Sequence, residues 1–402
     1  MKKSLLALAT IGAFAGAAHA QSSVSVYGIL DVSYGQDQVD QGQVAASAKT
    51  TGLADSRNAS SRLGFRGVED LGGGIQAGFV LESGLNIANG AIFNKSNGQT
   101  TTAATGVNNA TSSDSAIFGA ATRQAFVTLG SKGMGTLLVG YKKLLESDFN
   151  DNFVLGTENT YGSEGQELNR LGRGNTVSYT SPTFNGVALS VANTSQVTGY
   201  DLAATDAASK IGVSINQINL SYSTDKLLIQ GHAGMGQIDA GTAFTTGSTG
   251  LNLSFIGAGS PGNGTYNTSG VGARYDFGVA RLAAVYGKRE TGVKDSSATG
   301  AQVDTVYSAI SAAIPFGKNA IKATYSMSEA KDKSNNIASK NAGFQVVGEH
   351  NLSKRSQIWA VYGYNKVDAV TAASAVTNQS AAISAANENK QTSIRIGMTH
   401  SF

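Results

Sequence analysis

Two arginines stand four residues apart in the segment Ser61-Arg62-Leu63-Gly64-Phe65-Arg66. Side chains alternate between the two faces of an extended strand, so Leu63 and Phe65 share one side while Arg62 and Arg66 share the other. Two guanidiniums so close together are tolerated only where they are hydrated or paired. Glu82, in Val80-Leu81-Glu82, takes the same water-facing phase on the next expected strand. A long polar stretch at 144–173 carries Glu146, Asp148, Asp151, Glu158, Glu164 and Glu167 against Arg170 and Arg173. Charges of this kind shape a field. Covalent chemistry finds no support: His232 and His350 have no acid and nucleophile at a useful spacing, and neither makes a metal pair. There is no Cys, so thiolate chemistry and cysteine metal sites are out, and the chain is expected to be no enzyme and to need no cofactor.

Strands, not helices, must position these charges. Alternating segments recur at residues 24–34, 60–68, 75–85, 122–129, 136–142, 176–180, 187–194 and 213–223, and again at 227–235, 270–277, 279–288, 303–314, 320–328, 343–351, 357–367 and 390–402. The connections alternate between short turns rich in Gly, Asn, Asp and Lys and long polar loops, the long ones at 35–59, 86–118, 144–173, 195–211, 236–269, 289–302, 329–342 and 368–389. Within 236–269, residues 251–256 read either as an extra strand or as a hairpin in the loop. This pattern predicts an all-β, antiparallel up-and-down barrel of sixteen strands, whose even count puts both termini on one side of a membrane. Beyond residue 20 every apolar run is interrupted by charged, Gly, Asn or Ser residues. A membrane chain of that kind can cross only as a closed barrel. The mean hydropathy of −0.09 fits a sheet with one lipid face and one wet face.

The ends of the sequence indicate the compartment. Lys2 and Lys3, an apolar run from Leu5 to Ala17 and the triplet Ala18-His19-Ala20 have the layout of a secretory signal, too short to span a bilayer. Cleavage is expected between Ala20 and Gln21, leaving 21–402 as the barrel. Removing two lysines takes the formal charge from +3 to +1, which gives no case for a nucleic-acid partner. In the last segment Ile394, Ile396, Met398 and Phe402 share one face and Ser393, Arg395, Thr399 and Ser401 the other, with His400 fitting the interfacial girdle.

The blocks SRLGFRGVEDLGGG (61–74), IQAGFVLESGLN (75–86), TRQAFVTLG (122–130) and VSYTSPTFNG (177–186), with the GMTHSF end, resemble the beta-proteobacterial general porins and, more distantly, the enterobacterial ones. The resemblance implies an outer-membrane diffusion channel for ions and small hydrophilic solutes. It also implies a homotrimer, with the third long loop folded into each lumen. A channel specific for one substrate class is the alternative. Lipid, lipopolysaccharide and the outer-membrane assembly machinery are the further implied partners, with terminal Phe402 resembling the signal that machinery reads. Arg62 and Arg123 match arginines of the family's constriction. Arg173 is the expected third member, with Arg170 as competitor, and Arg66 reads equally as an ordinary water-facing charge. Glu82 matches an acid facing that cluster, and Glu146, Asp148 and Asp151 are expected to supply the loop's side of it.

Two departures from the family pattern bear on the path of ions. Gly140-Tyr141 stands where the family commonly has Gly-Arg, with Lys142 and Lys143 next, and the enterobacterial Pro-Glu-Phe-Gly turn is missing from the loop. With one arginine replaced by tyrosine and a loop rich in acids, a mild cation preference is expected.

Overall fold

The computed structural model describes residues 23–40, 47–88, 122–161, 172–198, 211–240, 262–293, 302–332, 337–369 and 388–402. The expected signal sequence with Ala20 and Gln21, and the segment 251–256, lie outside these residues, as do Glu164, Glu167 and Arg170.

The chain forms one antiparallel sheet closed on itself. Seventeen hydrogen-bonded segments run in order: β1 (Ser23–Asp40), β2 (Ala48–Asp55), β3 (Arg62–Gly72), β4 (Ile75–Gly84), β5 (Thr122–Ser131), β6 (Gly135–Lys143), β7 (Arg173–Thr180), β8 (Val187–Thr198) and β9 (Ile211–Ser223). Then come β10 (Leu227–Ala240), β11 (Gly262–Asp276), β12 (Arg281–Val293), β13 (Gln302–Phe316), β14 (Asn319–Asp332), β15 (Ile337–Asn351), β16 (Ser356–Ala369) and β17 (Glu388–Ser401). Each pairs with its neighbour, and β17 returns to β1 with Ile29 opposite Ser401 and Asp40 opposite Lys390. On its other side β1 pairs first with β3 and farther along with β2. These two segments are therefore halves of one broken strand, and the barrel has sixteen strands. Closure leaves no sheet edge, which is what a strand-built membrane protein requires.

The alternation read from the sequence holds through the membrane. Val127, Leu129, Ile218, Leu220, Ile310, Ile394 and Ile396 are exposed on the outer face, while their neighbours point inward. Among the described residues no helix is long and apolar enough to cross a membrane. The tight turns fall at the end that holds Ser23 and Phe402, and Gly278 and Gly317 adopt φ of 84° and 61° there, values that favour glycine.

The expected long loop at 35–59 is wrong in extent. β1 continues to Asp40 and pairs with β2 as a hairpin beyond the apolar band. β10, β12 and β14 likewise run past the expected ends at 235, 288 and 328. Outside the hydrocarbon both faces of a strand are wet, so Gln36, Gln38, Lys288 and Glu290 carry no hydrophobic alternation to mark it.

Between β2 and β3 the chain leaves the ladder at Ser56, whose φ is 60°. Buried Asp31 holds the detour by accepting the backbone N–H groups of Arg57 at 2.7 Å and Asn58 at 3.0 Å. The same carboxylate accepts Trp359 Nε1 at 3.0 Å and Thr399 Oγ1 at 2.6 Å. Residues 56–61 thus protrude from the inner wall.

Candidate functional site

The third long loop opens with a short helix, α1 (Leu145–Asp151). Seven residues cannot hold a helix in water by themselves, so its placement rests on the barrel. Phe149 and Phe153 are fully buried against inward-facing Val285, Tyr307 and Ala309 of β12 and β13. Their rings lie over Gly270 and Gly272 of β11, where any Cβ would collide with them. The Asn152 side chain donates to Gln230 at 3.0 Å, and Arg274 donates to the Asn152 carbonyl at 2.8 Å. The loop then leaves this wall. The Thr157 N–H reaches Gln345 of β15 at 3.1 Å, and the N–H groups of Glu158 and Asn159 donate to the carbonyls of Asn58 and Arg57 at 3.1 Å each. The described part of the loop therefore runs inside the barrel, from β9–β13 to the protruding segment 56–61.

At that end the charges gather. Arg123 Nε donates to Glu82 Oε1 at 2.7 Å, and Tyr27 donates to the other Glu82 oxygen at 3.0 Å. Arg62 lies 3.9 Å from Glu82 and 3.9 Å from Glu158, so it bridges the wall acid and the loop acid. Glu158 also accepts the Ser60 N–H at 2.8 Å and the Ser60 hydroxyl at 2.7 Å. Burial alone would push the Glu158 carboxyl up, but the Ser60 donors and the Arg62 charge hold it below the ordinary carboxylate range.

Arg123 faces inward because the ladder is irregular there. Glu82 pairs with Gln124 and Ser83 with Thr122, so Arg123 is the extra residue of a bulge between β4 and β5. Regular alternation from exposed Val127 and Leu129 would have sent it outward. A bulge re-aims a side chain in this way.

The structure brings Arg62, Arg123 and Glu82 together and separates the expected loop acids. Glu146 is buried against the opposite wall, 2.7 Å from Arg289, with Tyr266 donating to its second oxygen at 2.7 Å. It does not face open water, because β12 supplies a cation directly beneath α1. Asp148 and Asp151 are partly exposed and pair with Lys142, at 3.1 Å, and Lys143. Arg173 stands opposite Lys143 in the β6–β7 ladder and makes no salt bridge among the described residues. Arg66 donates to Ser25 at 3.2 Å and lies over the Tyr27 ring, also without a carboxylate partner among the described residues. Sequence reasoning counted Glu158 among the loop's acids without singling it out, and it did not assign Arg57 to the site. Arg57 donates to Asp37 at 2.8 Å and to the Asn159 carbonyl at 2.8 Å. Only the position of 56–61 reveals this, since the segment reads as plain loop. Among the described residues no group of His, Asp or Glu is arranged to hold a metal ion.

A profile described as Gram-negative porin matches residues 5–370. The chain belongs to the Gram-negative porin family. An outer membrane porin of Bordetella pertussis is 30% identical over 305 residues, covering 73% of this chain and 70% of the relative. Outer membrane porin protein 32 of Delftia acidovorans is 30% identical over 410 residues and covers both chains fully. Among solved structures, an anion-selective porin from Comamonas acidovorans superposes with a TM-score of 0.64 at 22% identity, covering 95% of this chain and 100% of the other. The trimer form of OmpT from Vibrio cholerae gives 0.60 at 13% identity, covering 95% and 99%. Family and fold place this porin in the outer membrane, crossing it many times, as a channel and not an enzyme.

Proposed function

We propose that this porin is a general diffusion channel whose narrowest section lies between the third loop and the wall of Arg62, Arg123 and Arg173, and that it favours anions. The observation that carries the reading is the imbalance of pairing. Glu82, Glu158, Asp148 and Asp151 each have a cation beside them, whereas Arg173 and Arg66 have no carboxylate among the described residues. Glu146, counted on the acidic side in the sequence, is neutralised by Arg289. Fixed positive charge in a narrow low-dielectric passage concentrates anions. This reading departs from the mild cation preference expected from Tyr141 and the acid-rich loop, and it agrees with the selectivity named for the Comamonas porin.

Each barrel is expected to work within a homotrimer surrounded by lipid and lipopolysaccharide. Two glycines that face outward on β1 and β3, Gly28 and Gly67, do not leave bare backbone for that contact. The Phe402 ring covers Gly28 and the Phe79 ring covers Gly67, which gives a wall levelled by aromatic faces. The test of general diffusion is solute flux into proteoliposomes. Uptake of uncharged sugars that rises in proportion to concentration and falls with size supports it. Saturation by one solute class would establish the substrate-specific alternative instead.

A further inference from the structure

We propose that Arg289 is a positioning residue for the pore: by pairing with Glu146 beneath α1 it fixes where the third loop stands, and so sets ion selectivity without lining the ion path. The inference rests on the reading that this loop borders the conducting passage.

Arg289 and Glu146 have side chains only 1% and 3% exposed, and their charged atoms are 2.7 Å apart. Tyr266 completes a closed triangle, accepting from Arg289 Nε at 2.8 Å and donating to Glu146 at 2.7 Å. The guanidinium also lies 5.8 Å and 5.5 Å from the ring centroids of Tyr266 and Tyr307. Around this centre the loop root is held by uncharged contacts. Gln217 accepts the Glu146 N–H at 3.1 Å, and Asn219 donates to the Leu145 carbonyl at 3.0 Å. Phe149 and Phe153 fill the space over Gly270 and Gly272.

The ion pair differs from these contacts in what its loss leaves behind. Without a partner a charge this deeply buried is strongly unfavourable, so an unpaired Glu146 either takes up a proton where it stands or reaches water, and it reaches water only by moving the N-terminus of α1. Asp148 and Asp151 ride on the same helix and meet Lys142 and Lys143 from it. Moving α1 therefore changes the charges at the passage although Arg289 never touches an ion there. Removing both charges leaves nothing that must reach water, and the apolar and amide contacts remain to seat the helix.

Arg289→Met, Glu146→Gln and the double variant would be compared with wild type in planar bilayers, alongside an Asp148→Asn/Asp151→Asn variant. Heat-modifiable migration confirms a folded barrel in each. Arg289→Met is expected to show unsteady conductance with substates and at least a twofold fall in the anion-to-cation permeability ratio. The double variant is expected to return to steady conductance and to a ratio near wild type. A double variant as unsteady as Arg289→Met overturns the inference, because packing and not charge would then be at stake. Should Arg289→Met fail to fold, the double variant and Glu146→Gln decide alone: a folded, steady double variant supports the proposal, and one that also fails overturns it. Wild-type behaviour in Arg289→Met while Asp148→Asn/Asp151→Asn shifts the ratio also overturns it. If neither variant shifts the ratio, the loop does not border the passage, and the underlying reading falls with the inference.

Discussion

Arg123 meets Glu82 at 2.7 Å across β4 and β5 because one residue is inserted in the ladder between them, turning toward water a side chain that regular alternation would have sent into lipid. The contact ties selectivity to a local irregularity of the sheet. Neutralising Arg123 as Gln leaves Arg62, at 3.9 Å, as the one cation beside Glu82 among the described residues. The anion-to-cation permeability ratio should then fall, on the order of twofold, as one positive charge leaves a focused field. Glu82→Gln should raise the ratio. Reversal potentials of the two single variants moving in the same direction would contradict the assignment.

Arg66 offers a contrast on the same strand face. It stacks on Tyr27, whose hydroxyl bonds Glu82, and bonds Ser25, but makes no salt bridge to Glu82 or Glu158. Arg66→Gln should alter the permeability ratio less than Arg62→Gln does, measured under the same salt gradient.

Glu158 makes the docking of the loop depend on acid, and the sign follows from its lowered carboxyl. A carboxyl that ionises more readily when docked than when free contributes stability above its free value, and that stability is lost as pH falls through the lower docked value. Conductance should stay steady from pH 7 down past the ordinary carboxylate range and become noisy only in stronger acid. Glu158→Gln should remove that transition, because the amide keeps one acceptor for Ser60 but has no charge for Arg62. Noise that sets in near neutral pH in wild type would point to another group.

The sixteen strands were legible in the sequence because lipid on one side and water on the other impose a period of two on residues such as Ile394, Arg395 and Ile396. That pattern ends where the bilayer ends, which is why the hairpin of β1 and β2 read as loop. Arg62 could be placed from alternation alone. Arg123 could not, since its bulge leaves no mark in the sequence, and its inclusion came from resemblance. Glu146 looked like a pore acid because its partner Arg289 lies 143 positions away in sequence. Pairing across a closed barrel is not written in either neighbourhood.

Phe402 closes the barrel and covers Gly28 at the same time. Its N–H donates to the Gly28 carbonyl at 3.1 Å, and its own carbonyl accepts the Gly28 N–H at 3.2 Å. Gly28→Val should displace the ring and destabilise the barrel by about 1–3 kcal/mol, the usual cost of overpacking. Heat-modifiable migration should show a lower unfolding temperature. Deleting Phe402 should reduce assembly in cells more than it lowers the stability of barrels already folded. Unchanged yield from the truncated chain would contradict a recognition role.

The zero-current potential of wild-type channels across a gradient of potassium chloride tests the central claim most directly. The sign should be that of anion preference, diminished by Arg62→Gln or Arg123→Gln and weakened near 1 M salt, where the Debye length falls to about 3 Å. A cation-selective sign, or a potential that neither substitution moves, would contradict it.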